Sequence, residues 1–322
     1  MGNCLNQIPD YLELQIQDKI GKYKASNFHG FLFETDFHTK YNTMLSPAIA
    51  KKLAEEINIG YFWCAGDFPY AYGTKEECIE DTVNALEVLK TVKTSMQLFI
   101  SRGNHDITIK SSKESGYTAP YDYTYRLIKE ANSEGAKIFG EKLYYYVDDA
   151  ANKIRYICID TCDITQKDED AFWGVDYGFS DEQGKWLAEQ ALKVEDDEWH
   201  VIAIGHVPCV KGIYAYAEEL MPLGEILKDF KNKRKGLYGD FTQYKGQFVA
   251  YICGHNHKDL SVIDDNTLFI STGCSSLFND DVWKRETGNV SETLLDLFAL
   301  DKGNRMLYAL RIGAGEDRQF EF

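Results

Sequence analysis

Five short runs of aspartate, asparagine, histidine and glycine each follow an apolar, strand-like segment. They are Asp36-Phe37-His38, Gly66-Asp67, Gly103-Asn104-His105-Asp106, Gly205-His206 and Gly254-His255-Asn256-His257, and they contain five of the seven histidines. Strand ends gather on one edge of a sheet, so side chains far apart in sequence can meet there. The donors are carboxylate and amide oxygens and imidazole nitrogens, with no cysteine. That set suits a pair of divalent transition metals, and such a pair points to hydrolysis of a phosphate ester.

Taken singly the runs say little. A Gly-His or Gly-Asp pair at a strand end is ordinary, and a lone core histidine is usually just hydrogen-bonded. Gly103-Asn104-His105-Asp106 is more informative, because it sets an amide, an imidazole and a carboxylate on one tight turn. Gly254-His255-Asn256-His257 sets two imidazoles two residues apart, reaching the same way from an extended segment. Hydrolysis near neutral pH needs a hydroxide, neutralised phosphoryl oxygens and a proton for the leaving group. A water shared by two dications loses a proton near neutrality and can attack in line, and one imidazole remains for the leaving group. The glycines before Asp67, Asn104, His206 and His255 are expected to let the backbone turn sharply.

The elements that must hold these residues follow an alternating pattern. Residues 9–24 place Leu12, Ile16, Ile20 and Tyr23 on one face of an amphipathic helix. Phe31–Asp36, Gly60–Cys64 and Gln97–Ser101 read as strands, separated by helices opening at Ser46-Pro47 and Lys75. The second helix carries Ile79, Val83, Leu86 and Leu89 on one face. Further on, Tyr121–Ser133 reads as helix and Lys142–Val147 with Ile154–Ile159 as an antiparallel pair. Ser180 and Gln183 suggest a capping box. Trp199–Ile204, Phe248–Cys253 and Thr267–Ser271 are buried strands, and Leu294–Leu300 with Leu307–Ile312 are expected to close a second sheet. The simplest account is an α/β chain: one domain over 28–322, with two sheets face to face and helices outside, preceded by the helix in 1–27.

Composition narrows the function. With 322 residues, 44% hydrophobic and 27% charged, the chain has a globular balance. Its net charge of −16 disfavours broad nucleic-acid or anionic-membrane binding, which wants a basic face. No apolar run approaches a membrane span. Met1-Gly2-Asn3-Cys4 is faintly like a myristoylation start, but Asn6 stands where Ser or Thr is wanted. The eight scattered cysteines read as reduced thiols, which favours a reducing, cytoplasmic setting. The cluster Lys231-Asn232-Lys233-Arg234-Lys235 is either a solvated helix end or a substrate-facing patch. Phe68-Pro69-Tyr70-Ala71-Tyr72-Gly73 either walls a pocket or packs inside. Tyr41, Trp63 and Tyr117, Tyr121, Tyr123 and Tyr125 are candidates for an aromatic rim.

All five runs in this order, each after an apolar strand, resemble the calcineurin-like metallophosphoesterases over Asp36–His257. The Ser180–Leu187 segment resembles that family's helix after its central strand. The run from Asp36 through Asn42 to Ser46-Pro47, with Arg311-Ile312-Gly313-Ala314-Gly315, resembles a bacterial and phage-associated branch. The resemblance implies a four-layer αββα sandwich of two mixed β-sheets flanked by helices, and two divalent metal ions. Asp36, His38 and His257 would hold the first ion, Asp36 through one oxygen. Asn104, His206 and His255 would hold the second, and Asp67 would bridge. His105 would protonate the leaving oxygen, with Asp106 fixing its tautomer. The donors suit manganese, iron, zinc or nickel alike. The implied partner is a small phosphate ester, monoester or diester. The alternatives are a metal-binding scaffold without catalysis and a nuclease; the intact ligand set opposes the first, and the acidic balance the second.

Overall fold

The computed structural model of the protein describes residues 7–39, 41–70, 74–106, 108–109, 117–118, 121–164, 177–277 and 284–322. Met1–Asn6, the Ala71–Gly73 end of the aromatic loop and the side chains of Tyr41 and of Tyr117 to Tyr125 lie outside that description.

The strands that build the sheets are β1 (His29–Glu34), β2 (Tyr61–Cys64), β3 (Gln97–Ile100), β4 (Lys137–Ile138), β5 (Tyr145–Asp149), β6 (Ile154–Cys158) and β7 (His200–Ile204). They continue with β8 (Gln247–Cys253), β9 (Leu260–Asp264), β10 (Thr267–Ser271), β11 (Leu294–Asp301), β12 (Met306–Gly313) and β13 (Arg318–Glu321). The helices are α1 (Asp10–Lys24), α2 (Ser46–Glu56), α3 (Lys75–Lys90), α4 (Tyr121–Ala131), α5 (Asp181–Trp186) and α6 (Met221–Lys231). A six-stranded sheet has the order β13-β12-β11-β1-β2-β3, and a seven-stranded sheet has β9-β10-β8-β7-β6-β5-β4. Within them β1, β2 and β3 run parallel, as do β6, β7, β8 and β10.

Three cores account for the layering. Phe31, Phe33, Trp63 and Phe99 of the first sheet meet Tyr145, Tyr156, Ile202 and Ile252 of the second. The outer face of the first sheet buries Leu32, Phe62 and Leu98 against Leu12, Ile16, Ile49, Leu53 and Leu86 of the helices. The outer face of the second buries Val201, Tyr251 and Phe269 against Trp186, Leu223, Leu227 and Phe230. Each sheet is apolar on both faces, so its central strands read as unbroken hydrophobic runs. The result is two mixed sheets between helical layers.

Helix α1 turns the expected Leu12, Ile16, Ile20 and Tyr23 inward. Gln15 bonds both the carbonyl and the N–H of Gly313, so this helix is fixed to the end of β12. In α3 the buried face is Cys78, Thr82, Ala85, Leu86 and Leu89, rotated from the expected stripe, and Ile79 and Val83 are half-buried.

One strand assignment needs correcting. Residues 294–301 and 306–313 do not close the second sheet; β11 pairs antiparallel with β1 and carries β12 and β13 outward on the first. Phe298 faces Phe31 across that pair, with rings stacked 5.2 Å apart. The local pattern marks a strand but holds no information about which edge it joins, because that pairing spans nearly the whole chain.

Candidate metal centre

Parallel strands linked by crossovers end at the same edge of their sheet. Five such ends converge. Asp36 and His38 follow β1, Asp67 follows β2, and Asn104, His105 and Asp106 form a short turn after β3. From the other sheet, His206 follows β7, and His255 and His257 follow β8.

The backbone departs from the strand at these positions. Asp36 (φ 57), His38 (φ 44), Asp67 (φ 59), His255 (φ 72) and His257 (φ 57) all lie in the left-handed region. A non-glycine residue there costs on the order of 1–3 kcal/mol and persists only where its surroundings enforce it. Those surroundings are hydrogen bonds between the turns: Asp36 N–H to Gly66 O (3.1 Å), His38 N–H to Asp67 O (2.8 Å) and Gly254 N–H to His206 O (2.9 Å). Five of the seven candidate ligands are therefore strained, as is the neighbouring Thr39, while Asn104 and His206 are not. Of the four glycines expected to make the turns, only Gly66 has a positive φ, at 78°. Gly103 and Gly254 serve close approach instead. An added Cβ would lie 2.2 Å from Asp67 Oδ1 at Gly103 and 2.4 Å from Asp36 Oδ2 at Gly254, while at Gly205 it would meet the Tyr251 hydroxyl.

The side chains form two groups. In one, His38 Nε2 and His257 Nε2 are 3.3 Å apart, and His257 Nε2 is 3.2 Å from Asp36 Oδ1. In the other, Asn104 Oδ1 lies 3.1 Å from His206 Nε2 and 2.9 Å from His255 Nδ1. Asp67 Oδ2 stands between them, 3.1 Å from His206 Nε2 and 4.0 Å from His38 Nε2. His38 and His206 turn Nδ1 to the carbonyls of Pro69 and Ala65, at 3.1 and 2.6 Å. A carbonyl accepts only, so each ring carries its proton on Nδ1 and offers Nε2 to the centre. Asp36, His38, Asp67, Asn104 and His206 make a buried floor, and His105, His255 and His257 form the half-buried rim.

The electrostatics suit a bound cation. Asp36 Oδ1 is fully buried without a hydrogen-bond partner. A buried orphan carboxylate oxygen is costly, and a metal ion is the chemistry that would satisfy it. Burial would raise Asp36 and Asp67, but the facing imidazoles outweigh it and hold both low. Burial would lower His206, yet Asp67 and Asp36 hold it up at about 9. His38 and His255 stay neutral, pushed down by burial to about 4 and about 3. The carboxylates are ionised, and with the amide and imidazoles they make a donor set suited to divalent metal.

Several expectations change here. Asp106 does not orient His105. Its carboxylate accepts the N–H groups of Gly103 (2.6 Å), Phe68 (2.8 Å) and Asp67 (3.1 Å), locking the two turns together. His105 Nδ1 faces the Tyr70 carbonyl at 3.2 Å, and its N–H donates to Asp67 Oδ1 at 2.8 Å. The capping box is half present: Ser180 accepts from Gln183 N–H, but the Gln183 side chain bonds the backbone of Asp160 on both sides. Trp63 is not a rim residue, because it fills the core between the sheets. The aromatic loop splits, with Phe68 buried and Tyr70 beside His38. The cations from Lys231 to Lys235 are spent on the scaffold: Lys231 bonds Phe248 O, Lys233 bonds Gly246 O, Arg234 meets Asp229 and Asp265, and Lys235 meets Asp240. They lie at the start of β8, the edge opposite the centre.

Three residues outside the five donor runs brace the centre. The Cys274 thiol donates to Asp36 O at 3.2 Å and falls within reach of His38 and His257, so the donor shell is not free of sulfur. Burial raises its pKa well above a free thiol, which keeps it protonated. Arg285 donates to the carbonyls of Cys274, Ser275 and Ser276, fixing the loop that holds Thr35 and Asp36. Arg311 is fully buried and joins Asp296 to Asp259, two residues beyond His257. The Arg311–Gly315 run was visible in the sequence; the other two gave no local signal.

Residues 30–259 match the calcineurin-like phosphoesterase family. Among solved structures, a dimetal phosphatase from Danio rerio is similar at a TM-score of 0.64 and 14% identity, covering 92% of this chain and 100% of that one. GAP50, the anchor in the inner membrane complex of Plasmodium, is similar at a TM-score of 0.49 and 14% identity, over 88% of this chain and 84% of that one. No curated protein sequence matches the chain. No helix among the described residues is long and apolar enough to cross a membrane.

Proposed function

The chain belongs to the calcineurin-like phosphoesterase family, and from that premise we propose that it is a dinuclear metal-dependent hydrolase of phosphomonoesters or phosphodiesters. The observation that supports this reading is the convergence of seven donor side chains from five strand ends into two adjoining groups, one of them holding Asp36 Oδ1, a buried oxygen without a hydrogen-bond partner that lies 3.2 Å from His257 Nε2. Asp36, His38 and His257 would hold one ion, Asn104, His206 and His255 would hold the other, and Asp67 would serve both. Two bound divalent ions would supply an activated water and neutralise the phosphoryl oxygens.

The remaining steps fall to the chain. Asp67 Oδ1 accepts the His105 N–H and so ties the general acid to the bridging carboxylate. The Tyr70 carbonyl at Nδ1 leaves His105 Nε2 turned to the centre, 4.0 Å from Asp67 Oδ2, where it delivers a proton to the leaving oxygen. Asp106 acts through the turn and not through the ring. Residues 28–322 form the catalytic domain, against which α1 docks. The bacterial and phage-associated placement rests on the runs from Asp36 to Pro47 and from Arg311 to Gly315. Seven buried thiols favour a cytoplasmic setting.

The test is turnover of p-nitrophenyl phosphate and of bis(p-nitrophenyl) phosphate by the manganese-loaded protein. At least one is turned over, and chelation stops it. Inactivity on both, with elemental analysis finding two ions per chain, overturns the reading.

A further inference from the structure

The open side of the centre carries an aromatic wall. Tyr214 sets its ring 4.9 Å from His255, nearly perpendicular, and Tyr177 lies 5.7 Å from the same ring. Tyr177 and Tyr214 are 6.0 Å apart, and Tyr216 continues the row 5.7 Å from Tyr214. The wall is fixed to the histidine loop. Asn256, between His255 and His257, donates to Ile213 O at 3.3 Å, and the Tyr177 hydroxyl donates to Tyr216 O at 2.8 Å. Around it Val210, Ile213 and Ala217 turn into the core, while Tyr216 stays 69% exposed. One exposed tyrosine is ordinary. Three contiguous rings, two of them against a rim imidazole and braced by that imidazole's own loop, are a built surface.

A phosphoryl group reaching the floor must enter past His105, His255 and His257. Whatever is bonded to its phosphorus then projects outward over this rim. Tyrosine rings offer flat faces with little conformational entropy to lose, and they suit offset or edge contact with another ring. Resting on the phosphoesterase reading, we infer that Tyr177, Tyr214 and Tyr216 select phosphate esters that carry a planar unsaturated ring, aryl or nucleobase.

Binding to the full-length, manganese-loaded protein tests this by calorimetry. The probes are phenylphosphonate and methylphosphonate, whose P–C bonds resist hydrolysis, with adenosine 5′-thiophosphate and inorganic phosphate alongside. Phenylphosphonate binds roughly tenfold tighter than methylphosphonate, the scale of a single stacked ring. That ratio falls toward one in Tyr214→Leu and in Tyr216→Ala, the latter at a mostly exposed ring whose loss does not threaten folding. A matching advantage for adenosine 5′-thiophosphate over inorganic phosphate extends the selection to nucleobases; its absence restricts it to aryl groups. A ratio near one in the unmodified protein, or one unchanged by both substitutions, overturns the wall and leaves the phosphoesterase reading standing. Failure of every probe, inorganic phosphate included, removes that reading and the wall with it.

Discussion

Histidine sits at both ends of the sandwich, and the two ends use it differently. At the carboxyl edge of the parallel strands five imidazoles face two buried carboxylates and an amide. At the opposite edge His29 opens β1 and His200 opens β7. His200 turns Nδ1 to the Glu198 carbonyl at 2.9 Å, and its Nε2 is buried without a partner. Burial pushes it down to about 4, and the charges of Lys302 and Arg305 act the same way. Each edge thus has a buried lone pair without a hydrogen bond. Asp36 Oδ1 has the Nε2 atoms of His257 (3.2 Å), His38 and His206 (both 4.0 Å) gathered around it, whereas the charges that bear on His200 are those of Lys302, Arg305 and His29. A metal centre is marked by what the orphan atom looks at, and not by histidine or by burial.

The largest effect that separates the two ends is Asp67→Asn. Turnover falls to background and elemental analysis finds at most one tightly held ion per chain, because the shared carboxylate loses its charge. Two retained ions and full activity would break the proposed division of ligands.

His105→Ala comes next. The protein keeps its metal content, but esters with poor leaving groups slow by roughly 10²–10⁴-fold while p-nitrophenyl esters slow far less. Loss of metal in this variant would move His105 from proton donor to ligand.

The smallest effect is expected at the far edge. His200→Gln leaves metal content and turnover unchanged, and it flattens the acid side of the stability curve. The folded pKa of about 4 lies below the unfolded value of about 6.5. Between them the unfolded chain binds more protons, so stability rises with pH across that window and is level above it. Melting temperatures from pH 4 to 7 check this. A parallel loss of metal from His200→Gln would erase the contrast between the ends.

Local pattern made much of this legible. The face of α1, the start of α2, the parallel core strands and the five donor runs follow from periodicity, Pro at a first helical turn, and polar residues abutting apolar ones. Adjacency to His105 in sequence says nothing about where the Asp106 carboxylate points on a tight turn, and it points to backbone N–H groups. Cys274 and Arg285 were missed because each is close to Asp36 only through a loop some 240 residues away. Lys231–Lys235 looked unusual in an acidic chain, yet each charge found a local partner.

By itself the sequence determined the donor types, their order and the strands that end in them, since these depend on neighbours a few residues apart. Tertiary structure decided which edge β11 joins, which residues adopt the left-handed backbone, and which aromatic rings flank the centre. Those choices depend on surfaces brought together from opposite halves of the chain, where strain at one turn is held by hydrogen bonds from another.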